Sequence, residues 1–285
     1  MADMASSIRT QQSVRNRALV VPREHGAWGL LLIPLVTGAC IGIPFGHGLK
    51  NLVLFLIATL SLFWLRTPVE SYFGMGAMRA NTREERRLVL RAIAGILPVA
   101  LASLAALMWN GNASAFLLIG CVAGTAFAAQ AGLKLLGRHM RMMSQIVGSL
   151  GLSATAAGAY CAVTGEVDAK AFAVWLACWL FAGNQIHYVQ ARLRNSRIAG
   201  PRNRFAATRG FMIGQLVMLL VVAAASRFGL LPPAAALAFI PVVFRGLFWL
   251  VDEDSSLDLQ WLGVTELLHG ITFGVLLTST FFLHR

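Results

Sequence analysis

The sequence predicts an all-α fold, a polytopic membrane helix bundle of about nine transmembrane helices. Three observations carry that expectation. Of 285 residues, 57% are hydrophobic and 13% charged, and mean hydropathy is +0.68, where soluble domains carry about 25% charge. Apolar runs of about 17–25 residues, long enough to cross a bilayer core as helices, recur along the chain. Eighteen of the 24 Lys and Arg residues fall in every second connector between those runs. Basic residues near span ends stay cytoplasmic, so this alternation also gives the bundle an orientation.

The runs cover roughly 26–44, 50–66, 88–109, 113–136, 144–163, 171–191, 209–226, 231–250 and 261–283. Ahead of them, residues 1–22 form a basic tail with Arg9, Arg15 and Arg17 but no apolar core before Pro22. A cleaved signal peptide is not expected from that pattern. Residues 23–285 are expected to form a single transmembrane domain, because no long linker and no internal repeat divides them. The N-terminus then lies inside, and nine crossings place the C-terminus outside. Loop 250–260 runs against the charge trend with Asp252, Glu253, Asp254 and Asp258, but acidic residues contribute little to orientation.

The first span opens with PREHGAW, residues 22–28. Pro22 suits a helix start. Arg23 and Glu24 are residues an interfacial anchor would carry, while His25 beside Gly26 can face a cavity. The second span ends in Arg66-Thr67-Pro68-Val69-Glu70, followed by Tyr72 and Arg79. If the helix continues through Pro68, Arg66 and Glu70 stand one turn apart and can pair. Before the third span, Thr82-Arg83-Glu84-Glu85 has the pattern of a capping box, in which hydroxyl and carboxylate satisfy free backbone N–H groups.

Small residues gather in the fifth span: Gly148, Ser149, Gly151, Ser153, Ala157 and Gly158. Their spacing allows close approach of a neighbouring helix. The sixth span closes with FAGNQIHYVQARLRNSR, residues 181–197. Asn184, His187, Tyr188, Ala191 and Arg192 recur at three- and four-residue intervals and share a helix face. Such groups are expensive beside lipid, so the face should point into the bundle, as a hydrogen-bonded knot or as a ligand pocket. In the ninth span Glu266 is the only acidic residue deep in a run, with His269 three residues on; a polar contact and a proton relay are the two readings.

Trp28, Trp64, Trp109, Trp249 and Trp261 lie near span ends, as an interfacial aromatic belt requires. Cys40, Cys121, Cys161 and Cys178 lie within spans without CxxC spacing and are expected to be apolar packing residues. The pI near 10.9 comes from short loops, so the expected partners are membrane lipids rather than nucleic acid. No cofactor is expected: His25 and His187 on one membrane side do not amount to a haem site.

PREHGAWGLLLIPLVTGA, from Pro22, resembles the opening signature of the YwiC-like family of bacterial membrane proteins. That resemblance implies a bacterial cytoplasmic membrane location and brings no activity with it. Other stretches resemble the UbiA superfamily of intramembrane prenyltransferases: MRANTREERRLVLRAI before the third helix, SQIVGSLGLS in the fifth and FAATRG entering the seventh. This second resemblance implies a UbiA-like bundle of nine helices. It also implies two Asp-rich motifs, after the second and sixth helices, that hold a prenyl diphosphate through Mg²⁺. The chain departs at both. Arg66 and Glu70 follow the second run, and Asn184, His187, Tyr188, Ala191 and Arg192 occupy the sixth, with no Asp or Glu between 184 and 209. Mg²⁺ needs hard oxygen ligands, so no metal is expected, whereas Arg can meet phosphate directly.

The leading expectation is therefore a lipid-binding membrane protein holding an isoprenoid or another anionic-headed lipid at its cytoplasmic face. Arg23, Arg66, Arg79 and Arg192 would face the head group, with His25, Glu70, Asn184, His187 and Tyr188 completing the site. One alternative is an intramembrane prenyl or lipid transferase, with Glu70 as its loop acid and His187 as its base, a role for which an unperturbed histidine side chain is suited at neutral pH. A small-anion transporter is the other, though such proteins often show the repeats this chain lacks.

Overall fold

The computed structural model describes residues 2–22, 25–75, 78–110, 113–195, 205–251 and 257–284. Among them every regular element is a helix. The chain divides into two compact units, Met1–His25 with Leu49–Ala113 and Gly26–Gly48 with Ser114–Arg285. The first holds α1 (Ala2–Val20), α3 (Leu49–Phe73) and α4 (Arg83–Asn110). The second is built around α2 (His25–Gly42), α5 (Ala113–Leu135), α6 (Arg141–Ser153), α7 (Thr155–Thr164), α8 (Ala169–Asn195), α9 (Arg209–Arg227), α10 (Ile240–Val251) and α11 (Leu259–Leu283).

Among the described residues, eight segments are long and apolar enough to cross a membrane: 26–45, 49–73, 83–110, 113–135, 141–164, 209–227, 233–251 and 259–283. The protein is thus an integral membrane protein by length and composition. The expected count of nine is not reached, because the sixth run, 171–191, falls short. It lies in α8, which is long enough at 27 residues but carries Asn184, Gln185, His187 and Gln190 in its second half. Ten of its residues, including Asn184 and Tyr188, are buried within the second unit. A helix covered by protein rather than lipid can hold those polar groups.

In the first unit α3 runs through Pro68 without a break, which brings Arg66 Nε within 3.0 Å of Glu70 Oε1. Lys50, at the start of α3, donates to Asn110 at the end of α4 over 3.2 Å, so the two helices lie antiparallel. The turn between them uses Gly74 at φ +72°, where a Cβ would press on the Arg79 side chain. The expected capping box starts α4: the Glu85 N–H donates to Thr82 Oγ1, and Glu85 Oε2 accepts from the N–H groups of Thr82 and Asn81. The basic tail is more ordered than its composition suggests. It forms α1, whose Leu19 is fully buried with Ala80 and Val89. Val20 also accepts from the Trp64 indole at 3.0 Å. Thr82→Ala should cost about 1 kcal/mol, the usual value of an N-cap hydroxyl, read as a lower thermal midpoint in detergent.

In the second unit a stacked pair, Phe181 and Phe273 with centroids 4.2 Å apart, anchors the core, and Phe239 meets Phe273 edge-on at 5.2 Å. The small-residue run breaks at Ala154 into α6 and α7. There the Trp175 indole takes the Leu150 carbonyl at 3.1 Å and Thr155 donates to the carbonyl of Leu31 at 3.1 Å, which favours a bend over a straight helix. Asp168 caps α8 by accepting from the Ala171 N–H at 2.9 Å while its other oxygen takes the Tyr160 hydroxyl. All four cysteines are free thiols; Cys161 and Cys178 are buried packing residues, whereas Cys121 is exposed.

Candidate functional site

The second unit buries an ion pair between two apolar helices. Arg245 of α10 meets Glu266 of α11 through Nη1 and Oε2, and their side chains are 7% and 9% exposed. At 1.5 Å per residue they lie about 9 and 10 Å inside their helices, at the end where α10 finishes and α11 begins. Charges inside apolar helices are costly, and as a default they mark functional sites.

Helix α8 supplies the rest of the shell. Arg245 Nη2 donates to Asn184 Oδ1 at 3.1 Å, and the guanidinium carbon stands 4.0 Å from the Tyr188 ring centroid, a cation–π contact. Gln185 donates to the Glu266 backbone carbonyl at 2.9 Å. Tyr188 packs among Phe211 and Trp249 at 5.9 and 5.7 Å, and Arg192 lies 5.8 Å over the Trp249 ring. His269 reaches the Thr265 carbonyl at 2.7 Å through Nδ1. Two polar atoms at this node, Arg245 Nε and Glu266 Oε1, are buried without a hydrogen-bond partner.

Most buried polar groups find partners, so a node with one orphan donor and one orphan acceptor is not there for stability alone. A buried pair is in any case weak evidence of stabilisation, because desolvation offsets much of the Coulomb gain. What the arrangement provides is a pre-oriented guanidinium, a carboxylate with one oxygen unengaged and an aromatic wall.

The residues singled out in the sequence fall in several places. Asn184 and Tyr188 meet Arg245 and Arg192 lies over the adjoining Trp249 ring, with the shared α8 face turned inward as expected. His187 sits beside them against Phe211, edge-on at 5.6 Å, and Gly214 leaves room for its ring. Arg66 and Glu70 pair with each other in the first unit, and Arg79 is exposed there. Arg23 and the His25 side chain lie outside the described residues.

Trp249 departs from the expected belt. It is 4% exposed within the aromatic cluster, while Trp109 and Trp261 are exposed at 90% and 66%, as belt residues would be. Arg15, in α1 outside the spans, donates at 2.5 Å to Glu85 in the first turn of α4, and that carboxylate raises the guanidinium's pKa above its ordinary value. The described residues contain no group of three or more His, Cys, Asp or Glu side chains placed to hold a metal ion.

Arg245 was missed in the sequence. Its counter-charge is 21 residues away on another helix, beyond the reach of any local spacing rule. The signal that could have found it is the presence of one lone cation and one lone anion in neighbouring apolar runs.

Residues 21–160 match the model of the YwiC-like protein family. No curated protein and no solved structure matches the chain. The matched region ends before α8, so Asn184, Tyr188, Arg192, Arg245 and Glu266 all lie outside it.

Proposed function

We propose that this chain, a member of the YwiC-like family through residues 21–160, binds an anionic-headed lipid, an isoprenoid or a phospholipid, in its second unit. One observation carries the reading: two guanidiniums, Arg192 and Arg245, converge on the Tyr188–Trp249 cluster against a single carboxylate, Glu266. The node therefore has one positive charge in excess, and low dielectric strengthens its pull on an anion. Arg192 is only partly buried and can present its fork to a phosphate oxygen.

A UbiA-like bundle with α8 as ninth crossing forms part of this proposal. At 27 residues α8 is about 40 Å long, enough for a core of about 30 Å. With nine crossings in a bacterial cytoplasmic membrane, the charge alternation puts the N-terminus inside, the C-terminus outside and the Arg192 end at the cytoplasmic face. In that bundle the Arg245 guanidinium against Asn184 replaces, with a fixed cation, the metal of the resembling enzymes. A transferase is less well supported, since Glu70 is engaged by Arg66.

Native mass spectrometry of the protein, incubated with equal phosphatidylglycerol and phosphatidylcholine in mild detergent, tests the proposal. Phosphatidylglycerol should be retained preferentially. Arg192→Gln should reduce its retention about tenfold, the value of one charge-assisted hydrogen bond, without lowering the thermal midpoint. Equal retention of both lipids, or retention indifferent to Arg192→Gln, overturns it.

The unengaged Glu266 oxygen, with His269 one turn away, favours a second reading as a proton-linked transporter of a small anion. Anion uptake into proteoliposomes driven by a pH gradient and abolished by Glu266→Gln would support that reading. Wild-type uptake no greater than that of empty liposomes would dismiss it.

A further inference from the structure

We propose a second, neutral lipid site in the groove between α9 and α10, whose occupant is a long-chain lipid ending in a hydroxyl. The groove has a volume of about 230 Å³ and is walled by Phe211, Leu216, Leu219, Val243 and Gly246, with Gln215 as its polar group. Gln215 is 7% exposed, and neither Nε2 nor Oε1 has a hydrogen-bond partner. Gly246 keeps the space around that amide open, because a Cβ there would lie 2.7 Å from Nε2 and 2.9 Å from the Phe211 ring.

An unpartnered buried amide is destabilising, and leucine in its place would avoid that penalty. The chemistry of the orphan atoms selects the occupant. A hydroxyl donates to Oε1 and accepts from Nε2, so a single group satisfies both. A ketone or ether would leave Oε1 without a donor. A phosphate would bring charge into a wall with no cation. A water can make the same two bonds but leaves the rest of the apolar groove dry and unfilled, whereas a hydroxyl carried on a long chain fills it.

Access points the same way. Leu216 is 58% exposed and Leu247 at the rim 44% exposed. The groove thus opens through the apolar flank that two membrane-crossing helices turn toward lipid. From Phe211 to Leu219 it follows α9 for about 12 Å, leaving the remainder of a long chain in the bilayer. This inference rests on Gln215 and does not depend on the anionic site at Arg192 and Arg245.

The test uses the full chain in phosphatidylcholine nanodiscs and a hexadecanol probe carrying a diazirine within its chain. Cross-links are expected within residues 209–251. Hexadecanol should compete about tenfold better than hexadecyl methyl ether, which accepts but cannot donate. Gln215→Leu should lower labelling about tenfold by the same loss, while its thermal midpoint stays level or rises, which excludes misfolding. Leu216→Trp should block the mouth and reduce labelling as well. Arg192→Gln should leave labelling unchanged, separating this site from the anionic one. Equal competition by the methyl ether, or wild-type labelling of Gln215→Leu, overturns the proposal.

Discussion

Arg245→Met is expected to destabilise the protein by roughly 3–5 kcal/mol, and Arg245→Met combined with Glu266→Met to restore most of that loss. The single change removes the cation paired with Glu266 in α11, at a site where the carboxylate's side chain is 9% exposed. It also strands Asn184 Oδ1, which accepts from Arg245, and removes the cation over Tyr188. The double change leaves neither charge, and two methionines can fill the vacated space with apolar contacts. Reversible unfolding in mixed micelles measures both. A double variant as unstable as the single would show that the packing of the guanidinium, rather than its charge, holds α8, α10 and α11 together. If the pair is kept for function, the stable double variant should also lose preferential phosphatidylglycerol retention.

Much of the helical architecture was legible because its signals are local. The capping box placed the start of α4, and the observed Thr82–Glu85 hydrogen bonds are those the four-residue pattern implies. The pairing of Arg66 with Glu70 needed only an unbroken helix through Pro68, and α3 provides it. The inward face of α8 followed from its period, and Asn184, Tyr188 and Ala191 are buried as that period requires.

What escaped was set by contacts between helices. Glu266 stood out as a lone acid, but local spacing tied it to His269, whereas its counter-ion comes from α10. Trp249 sits near a run end like a belt residue, yet Tyr188 and Phe211 enclose it. Hydropathy marks α8 poorly for a related reason: the polar groups that lower its score are the ones its neighbours satisfy.

Gly38→Val is expected to cost about 3 kcal/mol, at the upper end of ordinary overpacking. It should lower the yield of folded protein recovered in mild detergent. Gly38 and Gly42 on α2, and Gly46 just past the short 3₁₀ turn that extends it, bring this segment against α7 within the second unit. At Gly38 a Cβ would collide with the backbone of Ala156, and at Gly46 with the backbone of Val163. Side chains can rotate away from an intruder, but a carbonyl held in a helix cannot, so the helices themselves must separate. That separation would also break the Thr155 hydrogen bond to Leu31. Gly95→Ala is the contrasting case: nothing lies within 4 Å of a Cβ there, and alanine should stabilise α4 by up to about 1 kcal/mol. Opposite signs at two helical glycines would show that close helix approach, rather than glycine content, decides where this bundle tolerates a side chain. Equal effects at both sites would instead mean that α2 and α7 are not in backbone contact.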